Sequence, residues 1–417
     1  MDSSAQSVTR QHCRRVAAVA LEIGRSLGIA SRLTSGIEEA ALFHHSFDFG
    51  SGALVRLAAE VCAAGEERPP APQPPGSAET AAILALLRSP RARGGDSETR
   101  RAAAVIRMCS AFDEQIEALP FEYKPYDVIL EELREIGVFE GFDSILIDCL
   151  CRFRLPLRIP EVISRLPLQA RVAQEVFRRF AASREYELDE LELITARDPV
   201  LAGALIKVAN SALYSPQRRV STLRQAITYV GTAAARDVIL ACSIRPLFAS
   251  AGLLRLWSHS LHLAQLSSAL GESTGILEPR AAMLLGLVHD VGALVVQTLG
   301  GAAAASYQRL LEKGCPASYI ELLFFGRDHG ELGSEILEEW NFPEHLVEAV
   351  RFHHQPERSA RKETALLFLA EFWSGMDEDV ASSMRIEDCV RRTGISLDDL
   401  VETATRKNAL SILRSVA

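Results

Sequence analysis

Asp198-Pro199-Val200-Leu201-Ala202-Gly203-Ala204-Leu205-Ile206-Lys207-Val208-Ala209 is the stretch whose reading decides the fold. Asp198 is a helix N-cap whose carboxylate can accept an orphan backbone N–H. Pro199 at the first helical position gives up only an N–H that would have gone unpaired. Leu201, Leu205, Val208 and Ala209 then fall on one face, and the small residues Ala202, Gly203 and Ala204 predict a close approach to a neighbouring helix. The same grammar recurs in both directions. Toward the C-terminus, Ser221-Thr222 starts a helix that closes at Gly231, Thr232 starts the next, and from Leu253 the chain reads as helix with short turns to about Trp373. Ser396 with Asp399 three residues on marks a further helix in the tail. Toward the N-terminus, Val16, Ala20, Ile23 and Leu27 share one face of a helix that ends near Gly28, and Glu38 to Phe43 begins a second. Helical patterning returns over residues 100–152, with a turn at 120–125. Strand alternation is nearly absent, so the fold class is all-α.

Two kinds of interruption organise these helices. Residues 66–76 are too proline-rich for helix and too polar for a core strand, and read as an exposed extended loop. Residues 91–97, rich in Arg and Gly, read as a second loop. Pro156, Pro160 and Pro167 fall close together and mark a domain junction. The expected organisation is two helical domains, 1–152 and 153–417. The second comprises an N-terminal helical subdomain (153–252), a further helical subdomain (253–375) and a C-terminal helical tail (376–417).

With 48% apolar and 24% charged residues in 417, the chain has a globular composition. A net charge of −9 argues against a general nucleic-acid or anionic-membrane binder. The eight cysteines are scattered without any CxxC. No secretory signal is read ahead of them, so they are expected to be reduced thiols of a cytoplasmic protein. No apolar run reaches the ~20 residues of a membrane span. Residues 281–299 come nearest but carry His289 and Asp290 in their middle.

The histidines are bunched. After His12, His44 and His45 none occurs until His259, and then His262, His289, His329, His345, His353 and His354 follow. His289 and Asp290 are adjacent, about 100° apart on a helix, so both can face one point beside it. His353 and His354 do the same from another segment. Imidazoles with a carboxylate suit Fe, Mn, Zn or Ni. The alternative is a set of core histidines satisfied by backbone carbonyls and carboxylates with no ion. His262 is expected to pack or face solvent, His345 to be an exposed first-turn residue, and Asn210 to bond local backbone.

Residues 198–214, with Gln225-Ala226-Ile227 and Gly231, resemble the signature of HDOD domains, bacterial signalling modules related to the HD phosphohydrolases. Leu256-Trp257-Ser258-His259-Ser260 looks like the helix bearing the first HD-superfamily histidine, and 286–292 looks like the HD motif itself. Residues 325–333 and 340–354 complete the ordered pattern, over about half of the chain. The resemblance implies that 253–375 is an HD-like subdomain. It also implies a metal-ligand set of His259, His289, Asp290, His329, His353 and His354, with Glu371 at the rim where the family carries its last Asp. Enzymatic relatives place Lys after the His-Asp-x-Gly stretch, where this chain has Ala293, and no Gly-Tyr-Pro element follows His354.

The N-terminal region is similar to a worn HD domain of the HD-GYP type, through His12 with Arg15-Val16, Ala41-Leu42-Phe43-His44-His45, and residues 103–150 including Phe112-Asp113. His45 stands in place of the motif Asp, and Ser110 falls where a final metal-binding Asp is expected. That domain is therefore read as structural or interacting. The leading expectation is a non-enzymatic signal-transduction module acting on protein partners, with a vestigial metal site and no catalytic residue. A metal-dependent phosphohydrolase or cyclic-dinucleotide phosphodiesterase, and a nucleotide- or metal-binding sensor without turnover, are the alternatives.

Overall fold

Several helices begin where a side chain can satisfy an orphan backbone N–H. In the computed structural model, which describes residues 3–44, 77–88, 96–118, 124–140, 142–155, 157–165, 186–196, 198–211, 214, 216–217, 219–245, 254–374 and 382–395, no strand occurs among the described residues and the fold is all-α. Asp198 Oδ1 accepts the Leu201 N–H at 3.3 Å. The Thr222 hydroxyl accepts the Gln225 N–H at 3.2 Å while Gln225 Oε1 accepts the Thr222 N–H, a reciprocal capping box. Gly231, with φ 86°, closes that helix. The expected loop at 66–76, residues 91–95 of the expected loop at 91–97, residues 120–123 of the expected turn at 120–125, and the Ser396 helix signal lie outside the described residues, as does His45.

Backbone packing divides the chain into two compact units, residues 1–156 with 299–328, and residues 157–298 with 329–417. The sequence places 299–328 within a continuous second domain, whereas in the structure this segment packs with the first unit. The first unit holds α1 (Ser3–Ser26), α2 (Ser31–Phe43), α3 (Ala78–Arg88), α4 (Ser97–Ala118), α5 (Tyr126–Glu140) and α6 (Ser144–Cys151). Helix α2 starts seven residues before the expected Glu38. Its early turn is anchored by buried Leu33 and by Gly36, where an added Cβ would already touch Glu79, Thr80 and Ile83 of α3 at 3.4 Å. Val16, Ile23, Ile37, Ile83, Ile106 and Phe112 are fully buried together, each contributing about 1.5–3 kcal/mol.

The second unit contains α7 (Ile159–Arg165), α8 (Leu188–Thr195), α9 (Pro199–Ala209), α10 (Leu223–Val230), α11 (Thr232–Ile244), α12 (Leu254–Thr274) and α13 (Pro279–Val288), followed by a 3-10 stretch, Val291–Thr298. Helices α14 (Gly301–Glu312) and α15 (Ala317–Phe325) belong to the first unit. The second resumes with α16 (His329–Glu339), α17 (Glu344–Arg351), α18 (Lys362–Ser374) and α19 (Ser382–Thr393). Gly203 is exposed rather than wedged against another helix, correcting its expected role. The close approach is made elsewhere. Helices α12 and α13 form an antiparallel hairpin in which a Cβ on Gly286 would stand 2.6 Å from the Leu263 carbonyl oxygen.

Residues 279–296 are long and apolar enough to cross a membrane, yet 78% of this stretch is buried in the protein. It is also broken, because α13 ends at Val288 and the 3-10 stretch begins at Val291. His289 and Asp290 occupy the break, and Gly292 makes it tight. A Cβ there would lie 1.9 Å from the His329 carbonyl oxygen and 2.5 Å from the Gly333 nitrogen. Gly292→Ala should therefore cost about 3 kcal/mol or more by forcing the 3-10 stretch off α16. Gly203→Ala, exposed in mid-helix, should be neutral or gain up to about 1 kcal/mol. Equal urea midpoints for the two variants would contradict this packing.

Candidate metal centre

Five elements of the second unit deliver the histidine and carboxylate group. His259 comes from the second turn of α12, His289 and Asp290 from the end of α13, His329 from the first residue of α16, His353 and His354 from the turn after α17, and Glu371 from α18. All but half-buried His354 are buried, and His289 and His353 are fully so. Glu371, expected at the rim, is only 5% exposed and sits inside the group. An α18 whose residues 364–371 are all buried carries it there.

The side chains form two overlapping sets. His259 Nε2 lies 3.2 Å from His289 Nε2 and 3.2 Å from Glu371 Oε2, and His289 Nε2 lies 3.3 Å from the same oxygen. His329 Nε2 lies 2.7 Å from His354 Nε2, and His353 completes this second set with all ligand atoms within 4.8 Å of one another. Asp290 spans both sets. Its Oδ2 is 3.1 Å from His289 and 3.7 Å from His259, while its Oδ1 is 3.4 Å from His329 and 3.8 Å from His353. All seven residues read from the sequence as ligands are thus brought together. His262 is exposed and half-buried His345 lies in the first turn of α17.

Backbone carbonyls orient two of the rings. His289 Nδ1 donates to Gly286 O at 2.8 Å and His353 Nδ1 to Val350 O at 2.6 Å. A proton held on Nδ1 leaves the Nε2 lone pair aimed at the cluster, the arrangement of a metal-ligating imidazole. His353 Nε2 is buried with no hydrogen-bond partner among the described residues. Such an orphan costs about 1–3 kcal/mol when nothing occupies its lone pair. The donor set, nitrogen with carboxylate oxygen, fits a divalent transition metal.

Without an ion the charges must balance among themselves. Burial pushes His289 down, but the Asp290 and Glu371 carboxylates reverse this and raise it to about 10. Burial favours neutral Asp290, yet His289, His329 and His259 hold it well below its usual range. Glu371 is likewise held low, by His259 and His289 against burial. Burial and its imidazole neighbours keep His353 neutral, far below 6.5.

In the first unit a second group has formed around Asp113, which is fully buried. Arg15 donates to it from Nε at 2.9 Å and from Nη2 at 2.8 Å, and His12 Nδ1 lies 2.7 Å from Oδ2. His44 Nε2 is 3.0 Å from the Ser110 hydroxyl and 3.3 Å from His12 Nε2. Although burial opposes it, Asp113 is held below its ordinary value by Arg15 and His12. The sequence reading missed this pair, although Arg15 and Asp113 both stood in quoted motifs. A helical tail was expected over 376–417, but not the contacts of α19, where Arg392 donates to the carbonyls of Pro356, Ser359 and Arg361, and Arg385 donates to His354 O at 3.2 Å. Asn210 bonds local backbone as expected, donating to Ile206 O at 2.8 Å, and also holds both the N–H and the carbonyl of Val220, ten residues on.

Two measurements check these electrostatics. In chelator-treated protein, His289 stabilises fully below its unfolded value of 6.5, and that stability is lost as pH rises through about 10. His353 acts oppositely, since below 6.5 the unfolded chain takes a proton that the folded site refuses, and Asp290 and Glu371 add to the acid loss at still lower pH. Urea midpoints should therefore peak near pH 6.5, and His289→Gln should flatten the alkaline limb; an unchanged limb would refute the assignment. Asp113→Ala strands Arg15 and should cost about 3–5 kcal/mol. A loss below about 1 kcal/mol would show that the pair is not a buried anchor.

Residues 166–356 match the HDOD domain family. An uncharacterised protein of Treponema pallidum (strain Nichols) is 22% identical over 250 residues, 57% of this chain and 47% of that protein, so the chain spans about half the length of this curated relative. The crystal structure of an HDOD domain protein of unknown function from Geobacter sulfurreducens is 23% identical, covers 62% of this chain and 95% of its own, and superposes with a TM-score of 0.50, a likeness of fold. A candidate phosphohydrolase from Shewanella amazonensis SB2B is 21% identical over 62% of this chain and 98% of its own, with a TM-score of 0.49. Residues 166–356 of this chain are an HDOD domain.

Proposed function

We propose that this chain is a metal-holding, non-hydrolytic signalling module that acts through protein partners in the cytoplasm. The observation that carries the metal is the pair of ring-orienting bonds, His289 Nδ1 to Gly286 O and His353 Nδ1 to Val350 O, which leave Nε2 lone pairs directed at one carboxylate. His259, His289 and Glu371 supply one ligand set, and His329, His353 and His354 the other, with Asp290 reaching both. When bound, Fe, Mn, Zn or Ni supplies charge compensation for the buried carboxylates. The residues themselves are buried, His354 only half so.

Ala293 supports the non-hydrolytic half of this reading. Phosphodiester hydrolysis needs positive charge for the developing phosphorane oxygens, and this position provides none. The first unit supports a role in partner contact, because its own histidine group is closed by Arg15 rather than left as a donor set. We read that unit as a worn HD-like domain. A second reading, a metal-dependent phosphohydrolase, is favoured by one observation only, that all seven ligand-type residues, Asp290 among them, gather at one place.

Metal analysis of the full chain, stripped and reloaded separately with Mn, Fe, Zn and Ni, tests the proposal. At a free metal concentration of about 100 times Kd the native state should gain about 2.7 kcal/mol, and His289→Ala should lower metal content and remove that gain. A generic phosphodiester substrate should not turn over. Metal-dependent hydrolysis abolished by His289→Ala would replace this reading with the second one.

A further inference from the structure

We infer that residues 299–328 are a strap through which the first unit sets the position of His329, and with it the second ligand set. The inference rests on the metal reading for its consequence, though not for its mechanics. Asp290 and His329 are neighbours in space, 3.4 Å apart, yet the chain between them leaves the second unit at Leu299 and re-enters it at His329. Both flanks are pinned. The 3-10 stretch that follows Asp290 is packed so closely on α16 that only glycine fits at 292. His329 is the first residue after the return.

Within the first unit the strap is held at several points from Ser306 to Gly326. Glu22 of α1, 4% exposed, accepts from Arg309 Nε at 2.8 Å, from Arg309 Nη2 at 2.7 Å and from the Ser306 hydroxyl at 2.8 Å. Tyr319 of α15 is buried against Phe112, with ring centroids 6.0 Å apart, and the Arg15 guanidinium lies 5.8 Å from its ring. That same guanidinium is committed to Asp113. Phe324 O accepts the Leu155 N–H at 2.7 Å, and Gly326, in the left-handed region at φ 70°, turns the chain against Tyr126 and Arg154. The hold at Gly326 thus lies three residues before His329. A shift of α15 caused by any event in the Arg15–Asp113 group has little slack in which to dissipate before reaching His329. Coupling of this kind is reciprocal, so a ligand at the second set must also steady the strap.

Hydrogen exchange on the full chain in chelator tests the mechanics without metal. Arg309→Ala releases the Glu22 hold through a half-exposed side chain, and Gly326→Ala strains the exit turn. Each should lower protection of the amides of 330–334 by roughly five- to tenfold, leaving 254–274 unchanged. Arg224→Ala, an exposed pair in α10, should change neither. Loss confined to 301–325, or equal loss everywhere, would overturn the strap. Added Mn²⁺ alone should raise protection over 301–325 in the wild type. If metal analysis finds that none of Mn, Fe, Zn and Ni binds, the metal reading fails, while the chelator arm still decides the strap.

Discussion

The Asp290 carboxylate is the constraint around which the second unit is built. It is 6% exposed and lies within 3.1–3.8 Å of four imidazoles. An ionised carboxylate out of water is tolerable only with compensation at hand, which obliges helices distant in sequence to end or begin at one place. Helix α13 stops at Val288, α16 starts at His329, and the turn after α17 presents His353, so each termination serves the same point. Gly292 and Gly286 follow from that obligation, because the elements must approach more closely than a side chain allows.

The two histidine groups solve one charge problem in two ways. In the first unit Asp113 is met by a guanidinium within the same structure, a permanent cation with planar, two-pronged geometry. In the second no arginine or lysine is bonded to Asp290 or Glu371 among the described residues. Compensation there falls to imidazoles whose own protonation is at issue, with His289 raised and His353 lowered. A fixed internal cation gives a group that is indifferent to its surroundings. A cluster of imidazoles gives one that responds to protons and cations.

Much of this was legible because caps and periodicity are local. Asp198, Thr222 and Gly231 act as their neighbours dictate, and the helical character of the chain follows. The convergence of the seven side chains was legible through the order of their motifs, Glu371 included, although the burial of Glu371 was not. Periodicity shows that a residue faces inward but not which partner it meets, so Arg15 with Asp113, and Arg392 with three carbonyls, escaped. For the same reason α14 and α15 read only as part of the helical run beyond Leu253. Their apolar residues would look identical whichever core received them, and only the structure assigns 299–328 to the first unit.

That assignment has a consequence for the order in which the molecule is made. Synthesis delivers α1 to α6 early, but Leu310, Tyr319, Leu323 and Phe324, which complete their core, emerge only after α7 to α13 have already left the ribosome. The first unit must wait, with apolar surface uncovered, while a large part of the second is produced. Neither core can be finished from a contiguous piece of chain. The unit synthesised first therefore closes late, and a segment cut out at residue 157 would carry two helices folded for a core left behind.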